Sequence, residues 1–304
     1  MAADEAAIRT LDLGKRYGTS TALASLTMIV PRGQVFGFLG PNGSGKTTTV
    51  KLLLGLAAPT GGEAWVLGMP AGHRQTRRRV GYLPELFRYQ AWLCAREVLA
   101  LHCRLAELPR PSWPEEIDAA LATVGLADRG TDRVATFSKG MQQRLGLAVA
   151  LLGDPELVVL DEPTSALDPV GRHDTRTIIR ELRDRGCAVF LNSHLLSEVE
   201  QVCDRVAVIS RGRMIASGTI EELLGGDTVR LRLGGVDARV RAALERHGIR
   251  GEEDGWISVG GVDRESVPDL VAEVVSAGAR VYAVEPAHQS LEDRFLALLQ
   301  SENG

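Results

Sequence analysis

The sequence predicts an α/β domain with a largely parallel core sheet, followed by a small α+β unit towards the carboxyl-terminal end. Short apolar runs rich in Val, Ile and Leu alternate with longer helical patterns over the first two-thirds of the chain, an order typical of a parallel sheet flanked by helices. After Gly225-Gly226 the order changes to strand, helix, hairpin, helix, strand and helix. The length of 304 residues fits about two domains at roughly 150 residues each.

Six apolar runs are predicted to be strands of the first domain. Several are almost wholly apolar, as expected of strands that are buried on both faces. They are Ala22–Val30, Gln34–Leu39, Val80–Leu83, Leu157–Leu160, Ala188–Leu191 and Arg205–Ser210. The patterns between them predict helices at Lys46–Leu56, Ala95–Glu107, Glu115–Val124, Gly140–Leu152, Val170–Asp184 and Leu195–Gln201. Pro109, Pro111 and Pro114 are expected to break the chain between the second and third helices.

The remainder reads as βαββαβ plus a helix, which is the order of a ferredoxin-like unit. Its predicted elements are strand Thr228–Leu233, helix Asp237–His247, a hairpin into strand Trp256–Val259, helix Arg264–Ala277 and strand Arg280–Glu285. Asp254-Gly255 predicts a two-residue hairpin turn. Ser290 and Asp293 resemble a capping box for the last helix. The apolar stripe of that helix is expected to pack on its own sheet, with a partner surface as the alternative; it comprises Leu291, Phe295, Leu298 and Leu299.

Charge, hydropathy and cysteine usage exclude several classes of protein. The net charge of −4 argues against a nucleic-acid binder that works through bulk positive charge. The longest charge-free stretch, Tyr17–Pro31, is shorter than the roughly 18 apolar residues of a spanning helix, so we expect no membrane span. The sequence MAADEAAIRT has no apolar core of the kind found in signal peptides. The four cysteines have no CxxC spacing and are interpreted as buried thiols in a reducing compartment; they are Cys94, Cys103, Cys187 and Cys203.

A glycine-rich segment fits the pattern GxxxxGK[ST] and lies between the predicted strand Gln34–Leu39 and a predicted helix, the context that a phosphate-binding loop requires. Backbone N–H groups of such a loop wrap phosphate oxygens, and the helix N-terminus adds partial positive charge. Lys46, one of only four lysines among 35 basic residues, is expected to reach the β- and γ-phosphates, and the Thr47 hydroxyl to bind Mg²⁺. The predicted nucleotide-binding residues are Gly40, Pro41, Asn42, Gly43, Ser44, Gly45, Lys46, Thr47 and Thr48.

Two carboxylates, Asp161 and Glu162, end the apolar run Leu157–Leu160. A carboxylate at the carboxyl end of a central parallel strand faces the ligand crevice. We expect Asp161 to hold Mg²⁺, directly or through water, and Glu162 to orient and polarise the attacking water. The loop and the acidic pair together indicate a P-loop NTPase or kinase, without a finer class.

The segments between and after these elements resemble the motifs of ABC-type ATPases. Phe137-Ser-Lys-Gly-Met141, followed by Gln142-Gln-Arg144, is similar to the family's signature motif and lies just upstream of the acidic pair. Ser165-Ala-Leu-Asp168 resembles the D-loop, and His194 follows the strand Ala188–Leu191 where the family carries its switch histidine. Tyr17 matches the aromatic residue that stacks on adenine. The resemblance covers about residues 8–220.

The resemblance implies a fold and a set of domains. It implies a P-loop NTPase cassette over residues 1–224, with a RecA-like core sheet, an antiparallel β part and a helical subdomain at about 86–155. Residues 228–304 are expected to form an accessory domain. The family also pairs two cassettes head to tail around two ATP molecules, so that the signature binds the partner's nucleotide.

For the site, the resemblance implies that His194 donates a hydrogen bond to the γ-phosphate and that the signature contacts the opposite ATP. The residues concerned are Ser138, Lys139, Gly140, Met141 and, in the D-loop, Asp168. Taken singly, Tyr17 is more simply a core aromatic residue, His194 a satisfied loop histidine and Ser138 a helix cap. The order and spacing of the motifs together favour the roles that the resemblance implies.

The sequence departs from the family pattern in two places. The third signature position, usually glycine, is Lys139 and the last, usually glutamine, is Met141. Lys139 lies either near the partner's nucleotide or in a solvated loop. The Q-loop glutamine aligns with Glu85, whose oxygen can still serve Mg²⁺ or water but with added negative charge; Gln90 lies five residues too late to substitute.

Two neighbouring segments keep alternative interpretations. Leu86–Trp92 is aromatic and basic; in the family this region meets the membrane subunit, whereas packing on its own helical subdomain is the other reading. The run Arg77-Arg78-Arg79 is more simply a solvated face.

The leading functional hypothesis is the ATP-hydrolysing subunit of a membrane exporter, working with Mg²⁺ and ATP. Its expected partners are a separately encoded transmembrane permease and a second cassette, in a homodimer or heterodimer, with no nucleic acid. The expected location is peripheral, on the cytoplasmic face of the cell membrane. The first alternative is a non-transport ABC ATPase acting in translation, DNA repair or Fe–S assembly, and the second is a P-loop kinase. The transported substrate is not encoded in these motifs.

Overall fold

The computed structural model describes residues 6–224, 228–262, 265–286 and 291–303. Two compact units divide the chain: the first comprises the residues up to Ser217 together with residues 301–303, and the second covers Gly218–Gln300. The expected domain boundary between residues 224 and 228 falls partly on residues 225–227, outside the described residues, and stays a prediction.

The first unit contains a ten-stranded mixed sheet, in the order β5-β4-β1-β2-β10-β9-β3-β8-β7-β6. Its strands are β1 (Ala6–Tyr17), β2 (Ser20–Pro31), β3 (Val35–Leu39), β4 (Gly61–Val66), β5 (Met69–Pro70), β6 (Val80–Leu83), β7 (Leu157–Asp161), β8 (Ala188–Asn192), β9 (Arg205–Ser210) and β10 (Arg213–Thr219). Strands β6, β7, β8, β3 and β9 pair in parallel, whereas β5, β4, β1 and β2 pair antiparallel. This confirms the predicted α/β class with a parallel core and an antiparallel part.

Seven helices in the described residues accompany this sheet. They are α1 (Lys46–Leu53), α2 (Arg74–Arg77), α3 (Ala95–Leu105), α4 (Trp113–Thr123), α5 (Lys139–Leu151), α6 (Pro169–Asp184) and α7 (Leu196–Val202). Helices α3, α4 and α5 pack against one another within the stretch expected to form a helical subdomain. Short 3₁₀ turns at Arg110–Ser112, Ala127–Arg129 and Val134–Thr136 connect them.

The central strands carry the core because both of their faces are covered. All residues of β3, β7 and β8 are buried, and the Phe36 and Phe190 rings stack with centroids 6.1 Å apart. The parallel register pairs Asp161 with Asn192 and Asn192 with Phe38. The carboxyl ends of three neighbouring strands therefore meet at one edge of the sheet, next to the start of α1.

All six predicted strands of this unit are confirmed, but β1, β4, β5 and β10 were not predicted. None of these four is a continuous buried apolar run: β1 has exposed residues between its buried ones, β4 and β10 have a single buried residue each, and β5 has none. The prediction that α1 reaches Leu56 was wrong, because Gly55 turns into the left-handed region at φ 67° after α1 has ended. Pro114 does not break the chain: it lies in the first turn of α4, where its missing N–H costs no helical hydrogen bond.

The second unit has a four-stranded antiparallel sheet in the order β12-β13-β11-β14, and its elements follow one another along the chain as the predicted βαββαβ plus a helix. Its elements are α8 (Ile220–Leu224), β11 (Thr228–Gly234), α9 (Ala238–His247), β12 (Ile249–Glu253), β13 (Trp256–Gly260), α10 (Val267–Ser276), β14 (Arg280–Pro286) and α11 (Leu291–Asn303). The hairpin turn has positive φ at Asp254 and at Gly255, as the sequence predicted. The proposed cap at Ser290 lies outside the described residues, as does Arg264.

Two further expectations concern membranes and thiols. No helix in the described ranges is both long and apolar enough to cross a membrane. All four cysteines are free thiols; three are buried, and Cys94 is half-buried.

Candidate functional site

The loop of residues 40–45 connects β3 to α1, and two of its glycines are required by close backbone contacts. A Cβ atom on Gly40 would lie 2.3 Å from the Ile209 carbonyl oxygen and 2.5 Å from Ser44 Oγ. Gly45 has φ 111°, and a Cβ there would lie 2.6 Å from the Ala22 carbonyl oxygen. The tight curl of the loop therefore excludes larger residues at both positions.

The inside of this loop has unused hydrogen-bonding capacity. Helix α1 starts at Lys46 without a side-chain cap, because Gly45 occupies the N-cap position. The buried Ser44 Oγ has no hydrogen-bond partner within the described residues. Free N–H groups at a helix N-terminus and an unpaired hydroxyl suit an anion such as a phosphate.

Lys46 is buried and lies back over the loop. Its Nζ donates hydrogen bonds to the carbonyl oxygens of Gly40 at 2.6 Å and Pro41 at 3.1 Å. Burial lowers the pKa of Lys46, and the negative charges of Glu162, Asp161 and Glu85 oppose that effect. The ammonium group is thus within electrostatic reach of all three carboxylates that the sequence analysis singled out.

Asp161 ends β7 as a buried carboxylate. Its Oδ1 accepts a hydrogen bond from Asn192 Nδ2, at the end of the neighbouring strand. Burial raises the pKa of Asp161, and the nearby negative charges of Glu85 and Glu162 raise it further. The hydrogen bond from Asn192 acts in the opposite direction and lowers the pKa. Asn192 was missed by the sequence analysis, although a polar residue that ends an apolar strand beside an acidic pair is a usable signal.

Glu162 is held in an unusual backbone conformation with φ 54°. Its N–H donates to the Asn192 carbonyl oxygen at 2.8 Å, and the Gln143 side chain donates to its carbonyl oxygen at 3.4 Å. One carboxylate oxygen accepts the His194 backbone N–H at 3.0 Å, and the other lies 2.8 Å from His194 Nδ1. The His194 side chain is 57% exposed, whereas that of Glu162 is 9% exposed. Glu162 is therefore a fixed carboxylate facing an accessible imidazole.

The remaining metal candidates lie around this group. Thr47 is exposed in the first turn of α1 and Thr48 is half-buried. Glu85 is exposed, two residues beyond β6. Across the described ranges, no cluster of three or more His, Cys, Asp or Glu side chains is arranged to hold a metal ion. A Mg²⁺ ion bound through Thr47 and Asp161 oxygens would complete its shell with phosphates and water, as Mg²⁺ commonly does.

The D-loop reaches this group through Ser165, whose Oγ donates to the Glu162 carbonyl oxygen at 3.1 Å. The signature and D-loop residues that were predicted to contact a nucleotide lie instead at the starts of two helices. Ser138 is the N-cap of α5, its hydroxyl accepting from the Met141 N–H at 3.2 Å. Lys139 is exposed, and Gly140 and Met141 are half-buried. Asp168 caps α6 by accepting from the Gly171 N–H at 2.8 Å. These residues form a second, surface-facing group at two helix starts.

Tyr17 lies at the end of β1 and is 48% exposed, so it is not a core aromatic residue. The ammonium group of Lys15 lies 4.9 Å from the centre of its ring and donates to the Ala58 carbonyl oxygen at 2.6 Å. An exposed ring with one face approachable from solvent is able to stack on a planar base.

The chain is similar to known proteins in both sequence and fold. Residues 23–165 match the family described as ABC transporter. An ABC transporter ATP-binding protein of Nostoc sp. is 40% identical over 97% of this chain and 90% of its own length. The Nod factor export ATP-binding protein I of Rhizobium etli is 34% identical over 97% of this chain and 94% of its own. A solved ATP-binding subunit of an ABC transporter superposes with a TM-score of 0.66 at 30% identity, covering 71% of this chain and 91% of that one.

Proposed function

Because this chain belongs to the ABC transporter ATP-binding proteins, we propose that it powers a membrane exporter. ATP binding and ATP hydrolysis are properties of the family, so the chain is an ATPase that acts with a transmembrane component. The export direction is supported by the Nod factor export protein, which is similar over almost the full length of both chains. The alternatives of a non-transport ABC ATPase and a kinase receive no support from these relatives.

The ATP phosphates bind in the loop of residues 40–48, with Lys46 exchanging its loop carbonyl contacts for phosphate oxygens. The unpaired Ser44 hydroxyl and the uncapped start of α1 support this binding mode. Thr47, Asp161 and Glu85 hold Mg²⁺, since hydroxyl and carboxylate oxygens are the ligands that it prefers. When bound, Mg²⁺ neutralises charge on the phosphates. Tyr17 stacks on the adenine.

Glu162 acts as the general base for the attacking water, and this assignment is carried by one observation. Its buried carboxylate is fixed by the His194 backbone N–H and lies 2.8 Å from His194 Nδ1. A carboxylate held in one orientation accepts a proton from a water molecule without first having to reorganise. The accessible His194 imidazole then donates a hydrogen bond to the γ-phosphate.

The surface-facing group at the starts of α5 and α6 contacts the nucleotide that is bound by a second cassette, in a homodimer or heterodimer. Ser138, Lys139, Gly140 and Met141 start a helix at the surface, where they are open to a partner's phosphates. Lys139 adds a compact positive charge at that point. Asp168 belongs to the same dimer contact. ATP binding closes the dimer, and hydrolysis reopens it.

The cassette comprises residues 1–224, with its helical subdomain at about 86–155, and residues 228–304 form the accessory domain. The chain is attached peripherally to the cytoplasmic face of the cell membrane through its permease and does not bind nucleic acid. The experiment is to purify tagged Glu162→Gln from detergent-solubilised membranes with Mg²⁺ and ATP, beside a Lys46→Met control. Recovery of a polytopic membrane protein in an ATP-dependent manner supports the proposal, and its absence from the Glu162→Gln sample contradicts it.

A further inference from the structure

Helix α6 carries a row of arginines directed at the segment that follows His194. Their spacing of four and three residues places them on one face of the helix. This arginine row consists of Arg176, Arg180 and Arg183. Each member contacts an acceptor within residues 198–204, so the row connects α6 to α7 and to Asp204 just beyond its end.

The contacts follow the order of the chain. Arg176 Nη1 donates to both carboxylate oxygens of Glu198, each at 3.0 Å. Arg180 Nη2 donates to the Gln201 carbonyl oxygen at 3.0 Å. The last member, Arg183, donates to Asp204 Oδ1 at 3.3 Å.

The Arg176–Glu198 pair is the most enclosed of these contacts. Its two side chains are 17% and 10% exposed, against 33% and 32% for Arg183 and Asp204. A charged hydrogen bond that is shielded from water is strong and geometrically specific, and the loss of either member leaves a buried charge unpaired. This pair therefore fixes the first turn of α7 against α6.

The position of Glu198 connects this pair to the hydrolysis site. Glu198 lies four residues after His194, in the first turn of α7, which has no side-chain cap of its own. Asp204, at the other end of the segment, accepts from the Val35 N–H at 2.8 Å and is thereby fixed to β3, the strand that enters the phosphate loop. The backbone that carries His194 is thus held between α6 and β3.

We propose that Arg176 and Glu198 are positioning residues that hold His194 against Glu162 during ATP hydrolysis. The proposal rests on the proposed role of His194 in that reaction. Neither residue belongs to the phosphate loop or to the acidic pair. Their effect is to keep the His194 backbone N–H and ring nitrogen on the Glu162 carboxylate, and with it the orientation of the base.

The test is a double-mutant cycle on the full chain, with kcat, KM for ATP and equilibrium ATP binding measured for each variant. Glu198→Gln is expected to lower kcat about 10- to 100-fold, since small misplacements of a reacting group have effects of that size. KM and ATP affinity stay within twofold. In a His194→Ala background, Glu198→Gln is expected to cause no further loss, because the residue that it positions is already absent.

Two further variants and one control separate positioning from folding. Arg176→Met with Glu198→Met removes both charges while keeping apolar volume, so it folds even if a single unpaired charge does not; it should show the same fall in kcat. Arg176→Lys keeps a charged donor for Glu198, so its kcat should lie between that of the wild type and that of the double methionine variant. Arg79→Gln breaks the ion pair with Glu156 beside β7, away from the site, and should leave kcat unchanged.

The outcomes are distinguishable. If His194→Ala hydrolyses ATP at the wild-type rate, the proposed role of His194 fails, and the positioning role fails with it. If His194→Ala is impaired but Glu198→Gln is not, or if the two losses multiply in the double variant, the role of His194 stands and the positioning role is refuted.

Discussion

Replacing Glu162 with glutamine is the sharpest perturbation of the hydrolysis site. The substitution exchanges one carboxylate oxygen for an amide group of nearly the same size, so the packing around this buried residue is kept. The backbone hydrogen bond from Glu162 N–H to Asn192 does not involve the side chain and is retained. The remaining amide oxygen can still accept the His194 backbone N–H. What disappears is the ability to take a proton from water.

The expected loss follows from that single function. A positioned general base contributes roughly 10²- to 10⁴-fold to a rate, so kcat should fall by that factor, which corresponds to about 2.7–5.4 kcal/mol in activation free energy. ATP binding should remain, since Lys46 keeps its charge partners Asp161 and Glu85. Removing one negative charge near the phosphates also reduces repulsion, so the Kd for ATP should not rise.

The assay measures phosphate release at saturating Mg²⁺ and ATP, together with equilibrium ATP binding, for the wild type and for Glu162→Gln. Glu156→Gln is the matched control, because it makes the same chemical change at a carboxylate paired with Arg79 and Arg32 away from the site. Turnover by Glu162→Gln within about threefold of the wild type, with the control unaffected, would refute the assignment of Glu162 as the base.

Three further predictions concern the loop and the sheet. Lys46→Met should weaken ATP binding at least tenfold in equilibrium titration, because it removes the buried ammonium group; an unchanged Kd would contradict the phosphate-binding role. Gly40→Ala should lower unfolding stability by about 1–3 kcal/mol and impair ATP binding, since its Cβ meets a backbone carbonyl, whereas Gly61→Ala has open space and should be neutral. The hydrogen bond from Arg79 lowers the pKa of Glu156, so this pair contributes stability above the ordinary pKa of 4.5 that is lost as pH falls through the lowered value. Urea unfolding between pH 7 and 3 should show a loss below about 1 kcal/mol, as expected for a half-exposed pair, and Arg79→Gln should reduce that loss while the Arg32 bond to Glu156 keeps the remainder.

The parts of the fold that the sequence predicts well are those buried on both faces. Strands β3, β7, β8 and β9 appear as continuous apolar runs, because helices cover both sides of the sheet. Strands β1, β4 and β10 are interrupted by exposed or half-buried residues and contain glycines and charges, so their local sequence does not distinguish them from loops. Their pairing with β2 and with one another supplies the stabilisation that the local sequence lacks.

The candidate site also has a part that the local sequence predicts and a part that it does not. The phosphate loop is a contiguous segment whose backbone does the binding, so glycine spacing and one lysine predict it. Asn192 and Gln143 were missed because their partners lie 31 and 19 residues away, and the contacts exist only where strand ends and α5 are brought together. The Arg176–Glu198 pair, 22 residues apart, belongs to the same class.

The sequence by itself determined the fold class, the phosphate loop, the acidic pair and, through the order of its motifs, the family. These features depend on local periodicity and on contiguous backbone, which short-range sequence encodes. The tertiary structure decided which groups come together: Lys46 within electrostatic reach of three carboxylates, Glu162 against His194, and α7 held by the arginine row. The reason is physical, because charge pairing and hydrogen bonding fall off within a few ångströms and are set by how distant segments pack.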